Sequence, residues 1–179
     1  SVIAIRGDDR EIRAFTNVCR HRGSRLVDGE GGCGKVLTCA YHAWSYARDG
    51  RLVGVMHRHE YPGLETDKLG LTPVALEIWR GFIFVRLEEG LPTVSEMMAP
   101  YDHEVAPYRF EELRAIGRVT LRPRDLNWKT IADNYSDHLH IPVGHPGLTR
   151  LFGKSYGVEA TEWVDRMEGE LRDDESANV

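Results

Sequence analysis

The sequence predicts an α+β chain in which an all-β region comes first and a mixed helix-and-strand region follows. Three observations carry that reading. Short runs rich in Val, Ile, Phe and Trp recur before residue 90, separated by Gly-containing turns. Beyond Trp128 the apolar spacing changes to 3, 4, 7 and 11 residues, which is helical. Between the two regions, Glu88-Glu89-Gly90-Leu91-Pro92 marks a change in composition. A boundary there divides residues 1–92 from 93–179.

The elements follow in order. Val2–Ile5 and Glu11–Val18 read as the first strands, around the turn Gly7-Asp8-Asp9. Val36–Cys39, Trp44–Ala47 and Leu52–Val55 come next, the last two joined by Asp49-Gly50, a strong hairpin signal. Residues 57–72 are polar and irregular, a loop. Pro73–Trp79 and Gly81–Leu87 form another hairpin, pivoting at Arg80-Gly81. So many short strands fit a small sandwich or barrel-like domain. In the second region, 93–99 reads as a short helix and 113–121 as a strand. Asp125 caps a helix that runs to about His140, with Trp128, Ile131, Ala132, Tyr135 and Leu139 as its apolar stripe. Pro142 helps to end it. From Asp165 to Val179, six acids outnumber two arginines, which reads as a solvated tail.

Composition removes several function classes. The 179 residues are 41% hydrophobic and 28% charged, ordinary for a globular chain. A net charge of −5 with no basic stripe argues against nucleic-acid binding. Apolar runs such as Phe82-Ile83-Phe84-Val85 are far too short to span a bilayer. With no visible export signal, a cytoplasmic protein is expected. Three cysteines, Cys19, Cys33 and Cys39, do not make a secreted disulfide scaffold.

Two of those cysteines stand beside histidines. Cys19-Arg20-His21 and Cys39-Ala40-Tyr41-His42 are separated by seventeen residues, and each half offers one thiolate and one imidazole. Sulfur suits iron or zinc, and imidazole suits both. Zinc sites more often pair Cys with Cys and His with His. Mixed loops fit a two-iron cluster better, with both thiolates on one iron and both imidazoles on the other. Cys33 is left as an unliganded structural thiol.

A second constellation lies further on. Asp137, His140 and His145 form Asp-x-x-His, four spacers and a second His. On a continuous helix, Asp133, Asp137 and His140 share the face opposite the apolar stripe. Two histidines are what a mononuclear non-haem Fe(II) site uses, together with a carboxylate. Asp137 is placed to orient a histidine.

Cys19-Arg20-His21-Arg22-Gly23 and Cys39-Ala40-Tyr41-His42-Ala43-Trp44 resemble the cluster loops of Rieske-type non-haem iron oxygenases, the aromatic ring-hydroxylating oxygenase α subunits. Ala40 and Ala43 stand where that family commonly has Pro and Gly. Asn127-Trp128-Lys129, then Asp133-Asn134, Asp137, His140 and His145-Pro146 resemble its iron motif. The resemblance covers most of residues 10–150 and implies an all-β Rieske 2Fe–2S domain over 1–92, N-terminally incomplete. The start of an α+β, helix-grip-like catalytic domain follows over 93–179. It implies a Rieske cluster on Cys19, His21, Cys39 and His42, and a mononuclear Fe(II) on His140 and His145. Asp137 would be the acid linking that iron's histidine to His21 or His42 of a neighbouring subunit.

The implied activity is that of a terminal oxygenase hydroxylating an organic, aromatic substrate with O2, or of an O- or N-demethylating monooxygenase. A Rieske ferredoxin-type electron carrier is the alternative of another class, and it has no use for the second motif. Electrons would come from NAD(P)H through a reductase, with or without a ferredoxin, and Arg20, Arg22 and Arg25 could meet such a donor. The family implies a homotrimer or a trimer with a β subunit. Its third iron ligand is an aspartate far downstream, which Asp165, Asp173 and Asp174 do not match. The expectation is a partial chain that holds the cluster and hydroxylates nothing by itself.

Overall fold

The computed structural model describes residues 1–117, 119 and 123–172. The chain divides into two compact units, Ser1–Ser95 and Glu96–Val179.

The first unit is built from seven strands. β1 (Val2–Arg6), β2 (Ile12–Thr16), β6 (Pro73–Trp79) and β7 (Phe82–Arg86) form one antiparallel sheet in the order β1-β2-β6-β7. β3 (Val36–Thr38), β4 (Ser45–Ala47) and β5 (Leu52–Gly54) form a second, in sequence order. Alternation places Ile3 and Ile5 of β1 inward and Ala4 outward. These isoleucines join Phe15, Leu37, Trp44, Tyr46, Leu52 and Leu71 in one core drawn from both sheets, and Cys19 and Cys39 lie within it. The predicted strands and both predicted hairpins are present. At the Asp49-Gly50 turn, Gly50 has φ 90, and a Cβ there would meet the Phe15 ring at 2.5 Å. Arg80 and Gly81 both have positive φ, the two-residue turn suited to strand twist. The loop at 57–72 contains two short 3-10 turns, Arg58–Glu60 and Thr66–Lys68.

Glu77 of β6 accepts from the backbone N–H groups of Val94 and Ser95, at 2.7 and 3.0 Å. Those are the first residues of α1 (Val94–Met98), the predicted short helix. α2 (Asp102–Val105) follows.

In the second unit the long predicted helix is broken. α3 spans Trp128–Ser136 only, and its N-cap is Asn127, not Asp125: the Asn127 side chain accepts from the Lys129 N–H at 3.0 Å. Asp137 is extended, at φ −86 and ψ 113, and stops the helix. Pro142 then opens a new short helix, α4 (Ile141–Gly144), rather than closing the old one. Proline is tolerated in a first turn because the N–H it lacks would be unpaired there anyway. α5 (Pro146–Phe152) follows directly. The acidic tail is exposed at Asp165, Glu168 and Glu170, in keeping with a solvated segment, and its residues 173–179 lie outside the described residues, but its start is regular. Asp165–Glu168 is a strand, β9, paired in antiparallel register with β8 (Gly157–Ala160). Arg166 binds Glu159 and Glu168 on that ribbon and Glu104 of α2, so charge that reads as solvated is partly spent on ion pairs. Of the strand expected at 113–121, residues 113–117 and 119 are not in a strand, and the rest lie outside the described residues.

Candidate functional site

The two Cys/His loops have the same backbone plan. In the first, Cys19 N–H donates to Ser24 and Gly23 N–H donates back to Cys19, at 2.8 and 3.0 Å. In the second, Cys39 N–H donates to Trp44 and Ala43 N–H to Cys39, at 2.8 and 2.9 Å. The residue that closes each loop has positive φ, 74 at Gly23 and 55 at Ala43. Asn17 anchors the first loop's exit. Its carbonyl oxygen accepts from Leu26 and Val27 N–H, and its amide donates to Val27 O.

The loops bring the four predicted side chains together. Cys19 and Cys39 are free thiols, each 2% exposed. The His21 and His42 rings lie 4.6 Å apart, edge to face. His42 Nδ1 is buried without a hydrogen-bond partner. Leaving such a nitrogen unpaired is costly, and a metal supplies what the protein does not. No three of the four donors converge to within 4.8 Å of one another. One tetrahedral zinc requires tighter convergence, with donors about 3.3–3.8 Å apart. The donor set therefore fits a two-iron cluster better than one zinc.

Burial, then repulsion from His42 and Arg22, holds His21 below its ordinary pKa, and so neutral, the form that ligates. Burial pushes the Cys39 thiol up. Backbone N–H groups of Tyr41 and His42, with Cys19 and Ser24, outweigh it and leave the thiol more acidic than usual.

Three aromatic residues complete the pocket. Trp44 stacks on His21 at 4.6 Å, with planes 10° apart. Tyr61 meets His21 edge-on at 5.9 Å. The Tyr46 hydroxyl lies 3.3 Å from Cys19 Sγ and accepts from Arg20 N–H at 3.0 Å. Burial first, then the Cys19 contact, raises the Tyr46 pKa, so the hydroxyl keeps its proton and can donate it to sulfur. Sequence reasoning missed Tyr46 and Asn17. Strand alternation carries a signal for Tyr46, since it lies two residues beyond Trp44 and shares its inward face.

The second constellation is also assembled, though not by a continuous helix. Asp137 Oδ1 accepts from Leu139 N–H at 2.8 Å, and Oδ2 lies 3.0 Å from His140 Nδ1. The His140 and His145 rings are 5.1 Å apart. Leu139 N–H and then His140 hold the Asp137 carboxyl below the usual carboxylate range. Asp133 stays on α3, exposed, and its carbonyl accepts from Asp137 N–H at 3.0 Å. Trp128, Ile131, Tyr135 and Leu139, expected as a core face, are 48–77% exposed.

Cys33 is exposed, as are the four remaining histidines, His57, His59, His103 and His138. Arg20, Arg22 and Arg25 are exposed near the first loop, and Arg25 pairs with Asp28 at 2.7 Å.

Residues 1–69 match the family described as the Rieske [2Fe-2S] domain, and residues 110–179 match the ring hydroxylating alpha subunit (catalytic domain). The chain belongs to the Rieske-type non-haem iron oxygenases. It is 36% identical over 151 residues to the carnitine monooxygenase oxygenase subunit of Escherichia coli (strain K12), covering 83% of this chain and 40% of that one. It is equally identical, over the same share of this chain, to the glycine betaine monooxygenase oxygenase subunit of Pseudomonas aeruginosa (strain UCBPP-PA14), 34% of which is covered. Among solved structures, an inhibitor complex of the quaternary ammonium Rieske monooxygenase CntA superposes with a TM-score of 0.82 at 29% identity, over 96% of this chain and 48% of that one. Naphthalene 1,2-dioxygenase with bound indole gives 0.66 at 31%, over 83% and 35%. The chain thus spans less than half the length of each of these relatives. The family is one of oxidoreductases, and its two domains carry a Rieske 2Fe–2S cluster and a mononuclear iron. No helix among the described residues is long and apolar enough to cross a membrane.

Proposed function

We propose that this chain forms the cluster domain and the front of the iron-binding domain of a terminal oxygenase, and that the whole protein uses O2 to oxidise a small organic substrate. Cys19, His21, Cys39 and His42 hold the cluster in this reading, and His140 and His145 hold the iron. When bound, the cluster relays single electrons and the iron provides the site where dioxygen is activated.

The supporting observation is the Asp137–His140 contact. A carboxylate on Nδ1 keeps the proton there and leaves the Nε2 lone pair free for a metal. A pure electron carrier does not need that arrangement. Asp137 also serves as the acid that meets His21 or His42 of a neighbouring subunit in a trimer, giving electrons a hydrogen-bonded route. The Tyr46 hydroxyl donates to Cys19 Sγ, one of the thiolates that would hold the cluster, and exposed Arg20 and Arg22 receive an acidic reductase or ferredoxin.

Quaternary ammonium compounds are the favoured substrate class. The fit to the CntA structure, 0.82 over 96% of the chain, exceeds that to naphthalene dioxygenase, 0.66 over 83%. The test incubates the whole protein with its reductase and NAD(P)H, offering carnitine, glycine betaine and naphthalene separately. Substrate-dependent O2 uptake with an oxidised quaternary ammonium product is expected. Turnover of naphthalene alone would reverse the substrate assignment, and a total iron content no greater than the cluster's pair would remove the oxygenase reading. In Asp137→Asn, iron is retained while reoxidation of the reduced cluster slows by about 10–100-fold, read by stopped-flow absorbance. Reoxidation at the wild-type rate would count against the relay.

A further inference from the structure

One group of metal-ligating side chains among the described residues belongs to neither site. His57, His59 and Glu60 each offer a donor atom, and these atoms all lie within 4.8 Å of one another. The backbone builds the group. His57 takes a left-handed conformation at φ 54, and its carbonyl accepts from Glu60 N–H at 2.8 Å, folding residue 57 back over residue 60. Arg58, the cation between the histidines, has its guanidinium drawn off to the carbonyls of Tyr61 and Leu64. The two imidazole rings stand 6.0 Å apart at 80°, and all three side chains are exposed.

We propose that His57, His59 and Glu60 form a surface site for a divalent transition metal of the Zn2+ or Ni2+ type. Two imidazoles and one carboxylate suit such ions, whereas Mg2+ and Ca2+ require mostly oxygen ligands. Tetrahedral zinc with bonds of about 2.0–2.1 Å needs its donors about 3.3 Å apart, so the side chains must close by rotation. Exposed side chains rotate freely, and three protein ligands leave a position for water. The ion braces the turn immediately before Tyr61, whose ring packs on His21 and Trp44.

The test is Zn2+ titration calorimetry on the cluster-loaded chain in chelator-treated buffer, alongside the double variant His57→Asn/His59→Ala. Asparagine suits the left-handed position, and the cluster's visible absorption checks that both proteins are folded. Any Zn2+ taken by His140 and His145 is common to the two, so their difference reports this loop. The expected result is one additional micromolar Zn2+ equivalent in the unsubstituted chain, weakened at least about tenfold by Glu60→Gln. Zn2+ should also slow amide hydrogen exchange across residues 57–64 in that chain only. Equal Zn2+ stoichiometry and affinity in the double variant would overturn the proposal. So would binding of Mg2+ or Ca2+ as strongly as Zn2+.

Discussion

Cys19 and Cys39 sit at 2% exposure in a core shared by two sheets, while His145 and the apolar side chains of α3 are exposed. The cluster pocket draws its donors from loops with seventeen residues between the two motifs, so only packing brings them together. The turn that carries Asp137, His140 and His145 covers nine residues, and its contacts are local: Asp137 N–H to Asp133, Leu139 N–H to Asp137, and His140 to Asp137. The difference teaches that one site is organised by burial and the other by short-range hydrogen bonds. Losing packing should damage the first far more than the second.

The largest expected effect tests that directly. Phe15→Ala removes a core ring that touches the Gly50 turn, and should cost about 3–5 kcal/mol, read by denaturant unfolding. Trp128→Ala, at a position 71% exposed, should change stability by no more than about 0.5 kcal/mol. Equal losses would end the contrast. Next, Asp137→Ala strips the partner from Leu139 N–H and His140 Nδ1, and Fe(II) affinity at the iron turn should fall about 10–100-fold in a titration of the whole protein.

Acidification should separate the regions further. The Asp137 carboxyl is held below the usual carboxylate range, so its stabilising contribution is complete above that range and is lost as pH falls through the depressed folded value. The Asp137–His140 contact should persist throughout neutral pH and fail only under strong acid, followed by NMR of the His140 ring. Loss of the contact at mildly acidic pH would show that it needs more than local hydrogen bonds. The smallest effect concerns Ala43, whose Cβ is disfavoured at φ 55. Ala43→Gly should stabilise the second loop by about 0.5–1 kcal/mol, seen as a small rise in melting temperature.

Strand alternation and the Asp-Gly and Arg-Gly turns made the first unit legible, because its core is regular and its hairpins are short. The cluster loops were legible from ligand types at fixed spacing. The helix after Asp125 was misread because apolar periodicity runs past Ser136, whereas the chain breaks at Asp137. The Asp137–His140 pairing nevertheless holds, since an Asp three residues before a His reaches it across a tight turn as well as across a helical one. Ion pairing of Arg166 with Glu104, Glu159 and Glu168 could not be read from an acidic tail, because Glu104 lies 62 residues away.

By itself, the order of residues determined which side chains were available for metal chemistry and which of them were neighbours, because ligand type and local spacing are written along the chain. Only the tertiary structure decided that Cys19 meets the Tyr46 hydroxyl, that Trp44 stacks on His21, and that His42 Nδ1 is buried without a partner. Those contacts join segments that linear spacing does not relate, and packing two sheets around one core is what brings them within reach.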